Sequence, residues 1–438
     1  MVSHLLILKT NKMSTTRRNF IATSLAGGLG ATLPFSSVMA NGFEEEKGRE
    51  NENYKKLDEA LKRPVLKKEL FTSPVIIDSL ELLKYKDNYL CRVRSKDGAE
   101  GFSFSNSQME TLYPIFVKRM QPFFIGKDAR DLETLLEQVY VYKSNYKLQS
   151  VALWVPLATI EFAILDMFGK IANKPMGQLI GEIHNPEIKL YQANSERDIS
   201  AEDTIEHLKE DLAKSNAKAI KFKIGGRMGH PEFPKGRSEK LIPLARKTFG
   251  DDMIISADSN GSYDVKEAIR IGKIMEQYNY AFYEEPVPFD WYEGTKKVAD
   301  ALKIPIAGGE QEPSLRNFRW LLGNNALSIV QADMFYFGGM IRSMKVANMA
   351  QALGIIHTPH VSNIGYVYML QFISAIPNAG EYHEFKSPFN KDMSFECKTS
   401  SLLPENGTVK VPTGPGMGID FDPDFIKKHQ IISEKTIF

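Results

Sequence analysis

Charged residues recur at nearly constant intervals through the second half of this sequence, and each closes a short apolar run. Asp258, Glu284, Glu310, Asp333 and His360 are separated by 26, 26, 23 and 27 residues, with Lys221 and Lys223 upstream and Glu384 downstream. A parallel β/α barrel delivers a new strand about every 25–30 residues and completes eight units in about 250, so residues ending successive strands meet at one mouth. The expected strands are 219–224, 253–257, 281–283, 304–307, 328–332 and 355–358, with helices at 265–277 and 340–353 among those between them. No short repeat recurs, so the period belongs to an α/β barrel and not to a solenoid.

The residue types at those positions describe a site. Asp258, Glu284 and Glu310 offer oxygen donors alone, which suits Mg2+ better than zinc or copper. Asn260 shares the face of Asp258 and can hydrogen-bond one of these carboxylates. Glu285 points elsewhere by strand alternation and reads as a structural ion pair under the rim. Lys221 and Lys223 lie two apart and share a face. Their repulsion and burial both disfavour charge, so one amine is expected to titrate near neutral pH and act as a base. His360 follows Asp333 by one unit, and a carboxylate on one ring nitrogen raises the basicity of the other. Glu384 ends the last strand, where it can hydrogen-bond a developing enolate oxygen. His357 and His383 read as structural histidines, with pocket lining as the alternative. Together these groups suit removal of a proton from carbon.

Upstream the pattern differs. Segments 75–83, 89–93 and 100–104 are β-like and separated by Lys86-Asp87-Asn88 and Lys96-Asp97-Gly98, an antiparallel meander. Helical patterns follow at 107–119, 131–142 and 156–171. Strands followed by helices imply a separate α+β domain, 67–186, before a barrel at 187–385. Residues 386–438 lose the rhythm; a strand at 407–412 and a turn at 414–418 are expected to return to the first domain.

The chain has 438 residues, enough for a barrel and a modest second domain. Its 55 lysines and arginines nearly match 54 acidic residues, which leaves no electrostatic footprint for nucleic acid. Cys91 and Cys397 lack the spacing of a disulfide scaffold or zinc site. Thr16-Arg17-Arg18-Asn19-Phe20 precedes a mildly apolar stretch and Val38-Met39-Ala40, so residues 1–40 resemble a Tat export signal and imply a periplasmic protein. Gly27, Gly28, Gly30 and Pro34 interrupt that stretch, against a permanent membrane span. Met13 offers an alternative start. Residues 41–66 are polar and read as a solvated linker.

These residues carry a resemblance to the mandelate racemase subgroup of the enolase superfamily. Ala163-Ile164-Leu165-Asp166-Met167-Phe168-Gly169-Lys170, Glu284-Glu285-Pro286, Gly309-Glu310, Gly338-Gly339 and Gly414-Pro415-Gly416-Met417-Gly418 all resemble its motifs, over roughly residues 70 to 425. The resemblance implies a modified (β/α)7β barrel of the TIM type, with an α+β cap completed by the C-terminal segment. It implies Mg2+ on Asp258, Glu284 and Glu310, Lys223 as one acid/base and His360 paired with Asp333 as the other. Glu384 is then an electrophile, and Lys221 tunes Lys223 and touches the substrate carboxylate. The family commonly carries a long mobile loop between its first two strands, whereas only about 84–88 joins them here. The segment 225–240 is long and basic; His230 and Arg237 in it either recognise a polyhydroxylated or acidic substrate or belong to a solvated loop.

The expected activity is Mg-dependent abstraction of the proton α to a carboxylate, with dehydration of a sugar acid to a 2-keto-3-deoxy acid. Racemisation, epimerisation and cycloisomerisation share its first step. A metal-dependent hydrolase would want histidine ligands, and a non-catalytic binding protein would have lost Lys223, Asp333 and His360. The partners expected are a small carboxylate substrate and further copies of the chain in a symmetric homo-oligomer.

Overall fold

In a computed structural model of the chain, residues 52–360, 365–386, 394–433 and 435 are described. The twin-arginine segment lies outside them. Helix α1 (Glu52–Leu61) corrects the later part of the linker expected over 41–66, of which 41–51 lie outside the described residues. Its polar composition hides a 3.6-residue period: Leu57 and Ala60 are fully buried with Phe318, Leu322 and Val346, while Asp58 forms a two-pronged pair with Arg319 at 2.6 and 2.7 Å.

Strands β1 (Ile77–Tyr85), β2 (Asn88–Ser95) and β3 (Glu100–Phe104) form the expected antiparallel meander. The single helix expected over 107–119 is three pieces: α2 (Met109–Ile115), a π-helical turn (Phe116–Met120) and α3 (Gln121–Phe124). Pro114 and Pro122 each remove an amide from the ladder, which breaks the regular spacing. Then come α4 (Leu132–Val141), α5 (Val151–Ala172) and α6 (Met176–Ile180). Helix α5 is long and apolar enough to cross a membrane, but it is buried from Leu153 to Gly169 as the spine of this domain. Strand β3 lies directly on it: a Cβ at Gly101 would sit 2.1 Å from the carbonyl of Ala163, so only glycine permits the approach.

The barrel follows: β4 (Glu187–Ala193), α7 (Ala201–Ser215), β5 (Ala219–Lys223), α8 (Arg237–Phe249), β6 (Ile254–Asp258), α9 (Val265–Gln277), β7 (Tyr283–Glu284), α10 (Tyr292–Ala301), β8 (Ile306–Gly308), α11 (Leu315–Gly323), β9 (Ile329–Val330), α12 (Met340–Ala352), β10 (Ile356–His357), α13 (Gly365–Ala375) and β11 (Tyr382–Phe385). All eight strands are parallel; β4 to β10 neighbour one another in chain order, and β11 pairs with β4 on its other side. Alternation along the strands sends Ala219, Ala307 and Ile329 into the lumen, with Ile220, Phe222 and Ile255 against the helices.

The C-terminal segment divides its contacts. It comprises β12 (Phe395–Glu396), β13 (Thr408–Lys410), β14 (Asp420–Phe421), α14 (Pro423–Lys427) and β15 (Gln430–Ile432). Strand β15 extends the cap sheet beside β1 as expected, but β13 corrects the rest by pairing antiparallel with barrel strand β4. The turn between them docks on α5, where buried Asp166 accepts the amides of Met417 and Phe102, each at 2.9 Å, and Lys170 Nζ at 2.7 Å.

Candidate active site

Strand register assembles the centre. Lys223 pairs with Asp258 across β5 and β6, and Asp258 with Glu284 across β6 and β7. Glu310 follows β8, Asp333 follows β9, His360 follows β10, and Glu384 lies within β11. Each of these side chains is less than a tenth exposed or faces the same buried mouth, so their charges interact in a low dielectric.

One oxygen from each of Asp258, Glu284 and Glu310 lies within 4.8 Å of the others. Oε1 of Glu284 and Oε2 of Glu310 are buried acceptors without a hydrogen-bond partner among the described residues. Burial and neighbouring Asp258 push Glu284 up to about 7, as expected of like charges crowded into a dry site. An oxygen-only set with free lone pairs fits a hard divalent cation.

Both lysines meet this cluster. Lys221 Nζ donates to Glu284 Oε2 at 2.6 Å and lies 3.6 Å from Glu384, and Lys223 Nζ donates to Asp258 Oδ2. The expectation of an amine titrating near neutrality is corrected here. Burial lowers both, but Glu284 and Glu384 around Lys221, and Asp258 beside Lys223, outweigh it and hold both above the usual lysine value. Mutual repulsion is the smaller influence because each ammonium has its own carboxylate.

At the other end of the cluster, His360 Nδ1 contacts Asp333 Oδ2 at 2.7 Å, and Asp333 Oδ1 accepts the amides of Phe335 and Tyr336 at 2.7 and 2.9 Å. The carboxylate is thus locked by backbone before it orients the ring. His360 Nε2 faces Glu310 Oε2 at 3.4 Å and Glu384 at 4.0 Å. Burial lowers the imidazole, but Glu310, the Asp333 contact and Glu384 raise it to about 9.

Several residues take places that strand spacing does not reveal. Asn260 Nδ2 reaches Glu310 Oε1 and Glu285 Oε2, each at 3.3 Å, and its Oδ1 accepts from Arg197. Among the described residues Glu285 makes no ion pair, correcting that expectation: φ is +41° there, and the side chain is buried, with burial and Glu310 holding its carboxyl well above the usual range. Lys386 contacts Glu384 at 2.9 Å; its i+2 spacing from Glu384 was the available signal. Burial disfavours the Glu384 anion, but Lys221 and Lys386 outweigh it and hold its carboxyl well below the usual range.

Arg237, expected as a recognition residue, is buried. It donates to the carbonyl of Lys223 at 2.8 Å, to Thr204 Oγ1 at 2.8 Å and to the carbonyl of Ile199 at 2.9 Å, so it braces β5 from behind. His230 is exposed on the turn that follows. His357 belongs to the outward face, fully buried with its ring 5.3 Å from that of Phe372. A one-residue change of face along β10 separates it from the lumen.

Residues 203–425 match the family described as enolase C-terminal domain-like, and residues 78–181 match the mandelate racemase / muconate lactonizing enzyme N-terminal domain. The chain is 26% identical to an arabinonate dehydratase of Saccharolobus solfataricus over 74% of its own length and 86% of the relative. It is 27% identical to a D-xylonate dehydratase of Haloferax volcanii over 74% and 80%. Among solved structures it is similar to the 3,6-anhydro-D-galactonate cycloisomerase from Zobellia galactanivorans, with TM-score 0.67 and 26% identity over 81% of this chain and 99% of that one.

Proposed function

The chain belongs to the enolase superfamily, in its mandelate racemase / muconate lactonizing enzyme family, and from that premise we propose that it dehydrates a sugar acid by removing the proton α to the carboxylate. The observation carrying this is the placement of Lys223 and His360 at opposite ends of one buried carboxylate cluster, at Asp258 and Glu310. Asp258, Glu284 and Glu310 would hold Mg2+, which when bound neutralises charge building on the substrate carboxylate.

Lys223 is the proposed base. With Asp258 committed to a cation, Lys223 loses the partner that now raises it most, while Lys221 continues to lower it. Lys221, buried between Glu284 and Glu384, is placed to hold the substrate carboxylate. His360, oriented through Nδ1 by Asp333, is the proposed acid that delivers a proton to the C3 hydroxyl. The C2–H bond breaks to Lys223, the C3–O bond breaks as water leaves, and the enol tautomerises to a 2-keto-3-deoxy acid. The dehydratase relatives support this outcome; racemisation or cycloisomerisation would use the same two proton carriers.

Screening aldonic, uronic and aldaric acids with Mg2+, while reading keto-acid formation and deuterium uptake at C2, tests the proposal. Keto acid is expected. Exchange without keto acid favours racemisation, and neither signal on any acid overturns the reading. We also propose export through the twin-arginine segment, checked by locating the chain after cell fractionation and by loss of export in Arg17→Lys/Arg18→Lys.

A further inference from the structure

We propose that the capping domain holds a second ligand site, distinct from the barrel mouth, for an acidic oligosaccharide. A cleft of about 820 Å3 opens between the end of α2 with its π-helical turn and the segment joining α4 to α5. It shares no lining residue with the active site. Lys118, Arg119, Lys143 and Lys147 line it, no acidic residue does, and none of the four has a carboxylate within ion-pair distance among the described residues.

Arg119 is the decisive member. Its side chain lines the cleft, and its Nε and Nη2 are buried with no hydrogen-bond partner among the described residues, which costs stability. The guanidinium and Lys143 Nζ lie 5.9 and 5.1 Å from the ring of Tyr142, which holds both cations at one edge of the cleft. The backbone is unusual on both walls. Lys118 and Arg119 belong to the π-helical turn, and Lys143, Asn145 and Tyr146 are all left-handed, with φ of 52°, 48° and 63°. Such conformations are costly and concentrate at functional sites.

Half-buried Ile115 and Leu148 supply apolar walls, which suit a carbon skeleton better than an inorganic anion. Cations spread along a cleft suit charges repeated along a chain. A uronic-acid oligomer has both features, one carboxylate per ring and apolar ring faces, and the cleft falls within the usual 300–1,000 Å3 of ligand pockets. The choice of carboxylate over phosphate rests on the sugar-acid reading above.

Calorimetry on the full chain with tetragalacturonate, an uncharged tetrasaccharide, pyrophosphate and a short DNA strand tests this. Saturable binding of tetragalacturonate alone is expected, weakening with added salt. It should weaken about tenfold or more in Arg119→Gln, as for loss of a charge-assisted hydrogen bond, and likewise in Lys118→Gln/Lys143→Gln, whose exposed positions spare the fold. Binding should persist in Asp258→Asn, and turnover of any sugar acid should be unchanged in the lysine double variant. Unchanged affinity in both cleft variants, loss of binding in Asp258→Asn, or equal binding of the uncharged sugar, pyrophosphate or DNA would overturn the site. Failure of every acid to react would sink the dehydratase reading without touching this binding result.

Discussion

At the scale of single residues, the centre separates groups that hold a proton from groups that hold other side chains in place. His360 is oriented by Asp333, which two backbone amides fix in turn. Asp333→Asn should therefore lower kcat by about 10²–10⁴-fold with the fold intact, since both the orientation and the basicity of the ring depend on the carboxylate. A full rate with the asparagine would remove His360 from the proposed chemistry. Mg2+ should raise the melting temperature, and Glu310→Gln should abolish that rise, because it removes charge from a candidate ligand set whose oxygens are buried. Differential scanning fluorimetry with and without the ion checks this independently of turnover. Arg237 acts differently. Its guanidinium spans three segments behind Lys223, so Arg237→Ala should cost about 2–4 kcal/mol of stability in urea, from several buried hydrogen bonds lost together.

At the scale of elements, what was legible in the sequence was whatever a period or a motif can carry. The strand-end spacing located Lys221, Lys223, Asp258, Glu284, Glu310, Asp333, His360 and Glu384 because one residue per β/α unit is repeated, and α9 begins and ends as its apolar period requires. Arg197, Glu285 and the role of Arg237 were not legible. They act through loop backbone and through the left-handed turn at Glu285, neither of which has a period. Helix α1 was missed because its polar residues outweigh its stripe of Tyr54, Leu57, Ala60 and Leu61 in composition. Its docking is nonetheless specific. Leu57→Ala should destabilise the protein by about 2–5 kcal/mol, as a buried leucine and not a linker residue. A stability change within about 0.5 kcal/mol, the range of a surface substitution, would return this segment to the status of a tether.

At the scale of the whole molecule, histidines of opposite character set how stability depends on pH. His357 and His383 are buried on the outward face, where desolvation holds them down, at about 3 and about 4. His360 is instead raised to about 9 against its own burial, by Glu310 and the groups around it. A histidine with a raised folded pKa stabilises fully below its unfolded value, about 6.5, and that contribution fades as pH rises through 9. For the two depressed histidines the sign reverses. Below about 6.5 the unfolded chain binds protons that the folded chain refuses, so stability falls with pH by about 1.4 kcal/mol per unit per histidine until the folded values are reached. Among the described residues His357 has no hydrogen-bond partner for either ring nitrogen, so an apolar side chain of similar size leaves no described polar group stranded. Urea unfolding at pH 7.5, 6 and 5 should show His357→Leu close to wild type at the highest pH and increasingly more stable relative to it as the pH falls. A difference that stays constant across that range would mean that His357 takes up its proton in the folded state, and the burial of this ring would then have to be reconsidered.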